Sequence, residues 1–159
     1  MIQPNTSPIS DRELTLERVI NTSPEKLYRA WTEPELLKQW FCPKPWSVSS
    51  AQLDVRPGGS SLVVMRSPEG EDYPNYGVYL DVVKNERLVF TDAFVKAWVP
   101  SEKAFIVVTI TFEPLGSKTK YFARVQHWNV PDREAHESRG FHTGWAKATD
   151  QLEELVASL

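Results

Sequence analysis

The chain has 159 residues, a net charge of −3 and 41% hydrophobic content, which fits one domain of ordinary size. With 18 Lys and Arg against 21 Asp and Glu and no basic run, it lacks the electrostatic footprint of a nucleic-acid binder. It also lacks a basic amphipathic face for anionic membranes, and its single cysteine makes neither an internal disulfide nor a Cys-based metal site.

Residues 1–10 are polar, contain two prolines and read as a flexible tail, leaving 11–159 as the domain. The opening "MIQPNTSPISDRE" lacks the charged and apolar regions of a signal peptide, and no apolar stretch reaches the ~20 residues of a membrane span. A cytoplasmic location is therefore expected. "ELTLERVI" alternates, with Leu14, Leu16 and Ile20 on one face, and predicts a strand. "NTSPEKLYRAW" then changes period. Ser23 suits an N-cap and Pro24 the first helical position, with Leu27, Ala30 and Trp31 at helical spacing. Thr32 and Glu35 fit a capping box for a second short helix carrying Leu36, Leu37, Trp40 and Phe41, stopped by Pro43 and Pro45.

From there to about residue 128 the pattern is strand. "SVSSAQLDV" and "SSLVVMR" flank "RPGG", "PNYGVYLDVV" and "RLVFTDAF" flank "KNE", and "FIVVTITFE" and "KTKYFARVQHW" flank "PLGS". Each pair predicts a hairpin, giving a meander of about six strands plus the first one. The chain closes on a helix with Asp132 as its expected N-cap and an apolar stripe of Phe141, Trp145, Ala148, Leu152, Leu155 and Leu159. Gly140 and Gly144 interrupt side-chain bulk near its start, which suits a close approach or a bend. A long open sheet must curl, and one apolar helix is what it curls around.

The tracts "AWTEPELLKQWF", "DVRPGG", "MRSPEG", "YPNYGVYLDVVKNERLVFTDAF" and "RGFHTGWAKATDQL" stand in order over residues 12 to 159. They resemble the START-like (SRPBCC) superfamily, and within it the single-domain bacterial branch named after the activator of the heat-shock-protein-90 ATPase. The resemblance implies an α+β helix-grip fold like that of the birch-pollen allergens. In it a curved antiparallel sheet of about seven strands wraps round a long C-terminal helix, with two short helices after strand 1. It further implies a largely apolar cavity between sheet and helix that holds a hydrophobic small molecule. Many such relatives carry Gly where this chain has Cys42.

Residues expected to wall that cavity are Trp40, Phe41, Trp46, Met65, Tyr79, Trp98, Phe112, His127, Phe141 and Trp145. Aromatic walls with few polar groups are what small-molecule sites present. The same aromatics also serve as core. His127 falls on the inner face of its strand with Tyr121, Ala123 and Val125, as either a satisfied core histidine or a ligand anchor. Asp81 shares the Tyr79 face unless a bulge intervenes. Cys42 has only Lys44 nearby to lower its pKa and follows a helix C-terminus, so it reads as a packing residue. His136 and His142 are six apart, about 240° round a helix, so one uninterrupted helix does not present both to one ion.

No catalytic residue, metal ligand or cofactor is assigned, and the partner expected is a hydrophobic small molecule, with no nucleic acid and no membrane. The chain is expected to be a monomer or homodimer. Two alternatives follow from the resemblance. One is a co-chaperone stimulating the heat-shock-protein-90 ATPase, although its eukaryotic namesake has a further N-terminal domain and only about ten residues precede the first strand here. The other is an enzyme acting on a bound aromatic or polyketide-like substrate, with Tyr79, Asp81 or His127 as acid–base groups; no triad or paired carboxylates support it.

Overall fold

The computed structural model describes residues 9–159. Most of the tail expected over 1–10 lies outside the described residues; its last two open a short 3-10 helix, Ile9–Arg12. Strand β1, Glu13–Ile20, follows, then helices α1, Pro24–Thr32, and α2, Pro34–Leu37. Strands β2 (Ser47–Leu53), β3 (Ser60–Arg66), β4 (Asp72–Val83) and β5 (Arg87–Thr91) run as a meander. A small hairpin, β6 (Phe94–Lys96) with β7 (Val99–Pro100), leads to β8 (Ile106–Leu115) and β9 (Lys118–His127). Helices α3, Val130–Ser138, and α4, Phe141–Ala157, complete the chain.

The main sheet has seven strands in the order β1-β9-β8-β5-β4-β3-β2, all paired antiparallel. Alternation places the inner face. In β8, Val108, Ile110 and Phe112 are buried, and in β9 so are Tyr121, Ala123, Val125 and His127. In β4 a bulge between Tyr79 and Asp81 breaks the alternation. Tyr79 stays buried, while Asp81 turns outward to accept a hydrogen bond from Arg87 Nε at 2.8 Å. The Asp81 carboxylate therefore leaves the inner face.

Local signals explain the helix boundaries, with some corrections. Ser23 caps α1, its hydroxyl accepting from Lys26 N–H at 3.3 Å. The capping box expected from Thr32 and Glu35 does not form. Thr32 ends α1 and donates to the Tyr28 carbonyl at 2.7 Å, and Glu33 takes the N-cap position without a side-chain capping bond. Helix α2 stops at Leu37, so Trp40 and Phe41 sit in the following turn, both backbone N–H groups donating to the Leu37 carbonyl.

The single C-terminal helix expected from Asp132 is two helices. Asn129 is the true cap, its Oδ1 accepting from Asp132 N–H at 2.8 Å. Gly140, at φ +98°, makes the left-handed break between α3 and α4 that other residues adopt only with strain. Helix α4 buries Phe141, Ala148, Thr149, Leu152 and Val156. Arg18 of β1 fixes it to the sheet edge, donating to Asp150 at 2.6 Å, Glu153 at 3.2 Å and the Ala146 carbonyl at 3.1 Å.

Candidate functional site

Between the inner face of the sheet and α4 lies a recess of about 390 Å³. Its closed end is aromatic. Trp31 of α1 meets Trp40 edge-on at 4.9 Å between ring centroids, Phe41 at 5.9 Å and Phe90 of β5 at 5.7 Å. Such arrangements add about 0.5–1.5 kcal/mol per pair beyond area burial. The buried indole N–H groups are satisfied: Trp31 Nε1 donates to the Tyr121 hydroxyl at 3.1 Å and Trp40 Nε1 to the Ala30 carbonyl at 2.9 Å. This end of the wall is held by directed bonds as well as packing.

The turn after α2 is tied to α4 by one side chain. Gln151 Nε2 donates to the carbonyls of Trp40 at 2.9 Å and Cys42 at 2.8 Å, and its Oε1 accepts from Lys44 N–H at 3.0 Å. Three groups that a proline-broken turn leaves unpaired are thereby satisfied across the recess wall. Cys42 lines the recess, buried, and burial pushes its thiol up to about 11. A thiol held that high is not a nucleophile at neutral pH.

Helix α4 contributes Gly144, Trp145, Ala148 and Thr149 to the wall. A Cβ at Gly144 would meet no atom within 4 Å, so the missing side chain leaves open space. The polar lining is sparse. Asp92 accepts through Oδ1 from the N–H groups of Phe105 at 2.9 Å and Ile106 at 3.0 Å, which closes the loop joining β7 to β8. His136 of α3 stands against Phe105 and Phe141, and its Nδ1 lies 2.8 Å from His127 Nε2. Among the described residues no group of three or more His, Cys, Asp or Glu could hold a metal ion. His142 turns away and pairs with Glu137 at 2.8 Å.

Of the residues expected at the cavity, Trp40, Phe41, Met65 and Trp145 line the recess. The other six do not. Trp46 is 39% exposed and packs outside on Tyr73, because the turn through Pro45 carries it past the wall. Phe112 is buried in solid packing between Tyr28 and Tyr121. Phe141 backs Trp145 at 5.2 Å, and His127 stands behind His136.

Tyr79 and Trp98 line a separate outer groove with Arg56, Pro57, Leu80 and Phe94. Trp98 is 85% exposed at the turn of the β6–β7 hairpin, and burial pushes the Tyr79 phenol up. Sequence reasoning missed Trp31, Phe90, Asp92, Phe105, Tyr121 and His136 as wall residues. Trp31 carried a helical-spacing signal and Tyr121 an alternation signal. Asp92 and Phe105 carried none, since strand pairing alone brings them together.

A curved antiparallel sheet closed by a C-terminal helix, with two short helices after its first strand, defines the helix-grip class. The family described as Activator of Hsp90 ATPase homolog 1-like protein matches residues 21–157, and the chain belongs to it. A crystal structure of a Nitrosomonas europaea protein is similar over 94% of this chain and 96% of that one, at 41% identity and TM-score 0.90. A Rhodobacter sphaeroides protein shares the fold at 23% identity and TM-score 0.82, covering 96% of this chain and 97% of its own. A Mycobacterium smegmatis protein does so at 18% identity and TM-score 0.77, covering 93% and 92%. No curated protein matches the chain. No helix among the described residues is long and apolar enough to cross a membrane.

Proposed function

We propose that the protein binds an apolar small molecule in the recess between the sheet and α4. The observation that carries this reading is a space of about 390 Å³ with an aromatic wall and few polar groups. Ligand pockets run from about 300 to 1,000 Å³ and are lined in this manner. The aromatic end is anchored through its indole N–H groups, so little ordering is left to be done when a ligand enters. Binding, rather than turnover, fits the chemistry on the wall. The thiol is held protonated and the Tyr121 phenol is pushed up by burial.

The alternative of a chaperone partner rests on the family's description and adds no residue to this site. Native mass spectrometry of the protein from its own cells tests the proposal. The expected spectrum shows a mass excess that denaturation releases as an extractable apolar compound. The bare chain mass, together with no saturable binding of an uncharged two-ring probe, would overturn it.

A further inference from the structure

His127 and His136 form a chain of hydrogen bonds that ends at the recess. His127 Nδ1 lies 2.8 Å from the backbone carbonyl oxygen of Arg12, and its Nε2 lies 2.8 Å from His136 Nδ1. A carbonyl oxygen only accepts, so His127 Nδ1 carries a hydrogen. In the form of His127 that carries this one ring hydrogen, Nε2 is a bare lone pair, and His136 Nδ1 donates to it. That uses the one ring hydrogen of His136. Its Nε2 is left as an acceptor without a hydrogen-bond partner among the described residues, on a ring that lines the recess.

The ring is also held in place and uncharged. Phe105 and Phe141 flank it at 5.2 and 5.1 Å between centroids. Burial above all pushes the His136 imidazole down to about 4, so it is neutral at physiological pH. Two charge features of the wall point the same way. No Lys or Arg lines the recess. Asp92 spends Oδ1 on the two N–H groups of the β7–β8 loop and keeps Oδ2 as a further acceptor. An anionic group entering this space would meet a carboxylate and a bare imidazole lone pair, with no side-chain cation in the wall to offset its desolvation.

We infer that His136 is the polar recognition point of the recess, and that the ligand is an uncharged, apolar molecule carrying a hydroxyl or N–H donor rather than a carboxylate or phosphate. This rests on the reading that the recess binds a small molecule. The test is calorimetric titration of the full chain with 2-naphthol, 2-methoxynaphthalene and 2-naphthoate. The expected order is 2-naphthol about tenfold tighter than its methyl ether, the worth of one hydrogen bond, and the carboxylate weakest. His136→Phe keeps a ring of similar size and should erase the preference for the naphthol over its ether.

Nitrogen NMR of the histidine rings gives a readout that needs no variant. Both His127 and His136 should be in the Nδ1–H form. Equal binding of naphthol and ether, or an Nε2–H form at His136, would overturn the inference while leaving the recess as a binding site. Saturable binding of none of the three would overturn the recess reading and the inference with it.

Discussion

Gly144→Leu separates the stability of this fold from what its recess does. Gly144 lies in the recess wall, and a Cβ there meets nothing within 4 Å. Ala148 lies one turn further along α4 and lines the same space, so a substituent at 144 enters the recess rather than the core packing. Two effects follow. Replacing a helix-interior glycine recovers about 1 kcal/mol of helix propensity, which raises Tm by roughly 2–4 °C in a chain of this size. The isobutyl group also occupies volume a ligand would use. Forcing a ligand against it costs about 1–3 kcal/mol, or roughly 5- to 150-fold in Kd. Thermal denaturation followed by circular dichroism and titration with 2-methoxynaphthalene read the two effects separately. The predicted variant is as stable as the parent or more so, and binds poorly. Unchanged affinity would place the ligand elsewhere, and a fall in Tm would mean that this face of α4 is already filled.

Gln151→Glu replaces the amide nitrogen that donates to the carbonyls of Trp40 and Cys42 with a carboxylate oxygen. It should cost about 2–3 kcal/mol in denaturant unfolding at pH 7, with Gln151→Ala costing no more. Cys42, with its thiol at about 11, is roughly one part in a thousand thiolate at pH 8, so disulfide-reagent labelling should be slow until denaturant is added. Prompt labelling of the native protein would contradict the buried placement.

The His136 imidazole binds a proton below about 4 when folded but from 6.5 when unfolded. The unfolded state then holds more protons between those values, so stability is full above pH 6.5 and falls as pH drops through that window. Allowing for its partial exposure, the loss attributable to His136 is about 1–2 kcal/mol and should vanish in His136→Phe. Gly59→Ala drives a Cβ into the Asp54 carbonyl oxygen, a backbone atom with no flexible side chain to yield. A loss of about 2–3 kcal/mol is expected in urea unfolding.

The sheet was legible because its signals are local. Alternation in "IVVTITF" and "KYFARVQH" fixes faces one strand at a time, and turn residues such as the Gly58 of "RPGG", at φ +81°, punctuate the strands. Even the orientation of Asp81 turned on a single local question, whether β4 bulges. What stayed hidden depends on relations between distant elements. The apolar stripe from Phe141 onward continues cleanly, yet only the competition between Asn129 and Asp132 for the cap and the conformation of Gly140 divide the helix.

Trp40 and Trp46 look alike in sequence, but the turn places one in the wall and the other outside on Tyr73. Tyr79 sits on the inner face, buried with its ring 6.4 Å from that of Phe90, whereas Trp98 stands exposed on the outer groove. Asp92 and Phe105 become neighbours only through the pairing of β5 with β8. The two histidines that touch are nine residues apart on a strand and a helix, a spacing with no periodic signature. His136 and His142, six apart in sequence, fall on different helices, and His142 pairs with Glu137.

The six tryptophans offer a direct map of where a ligand sits. In a nitrogen–proton correlation spectrum titrated with 2-methoxynaphthalene, the indole N–H peaks of Trp31, Trp40 and Trp145, all at the recess, should shift together and saturate. Those of Trp46, Trp98 and Trp128, away from it, should stay in place. Movement of Trp98 alone would put binding in the outer groove, and no saturable shift in any indole would contradict a ligand site between the sheet and α4.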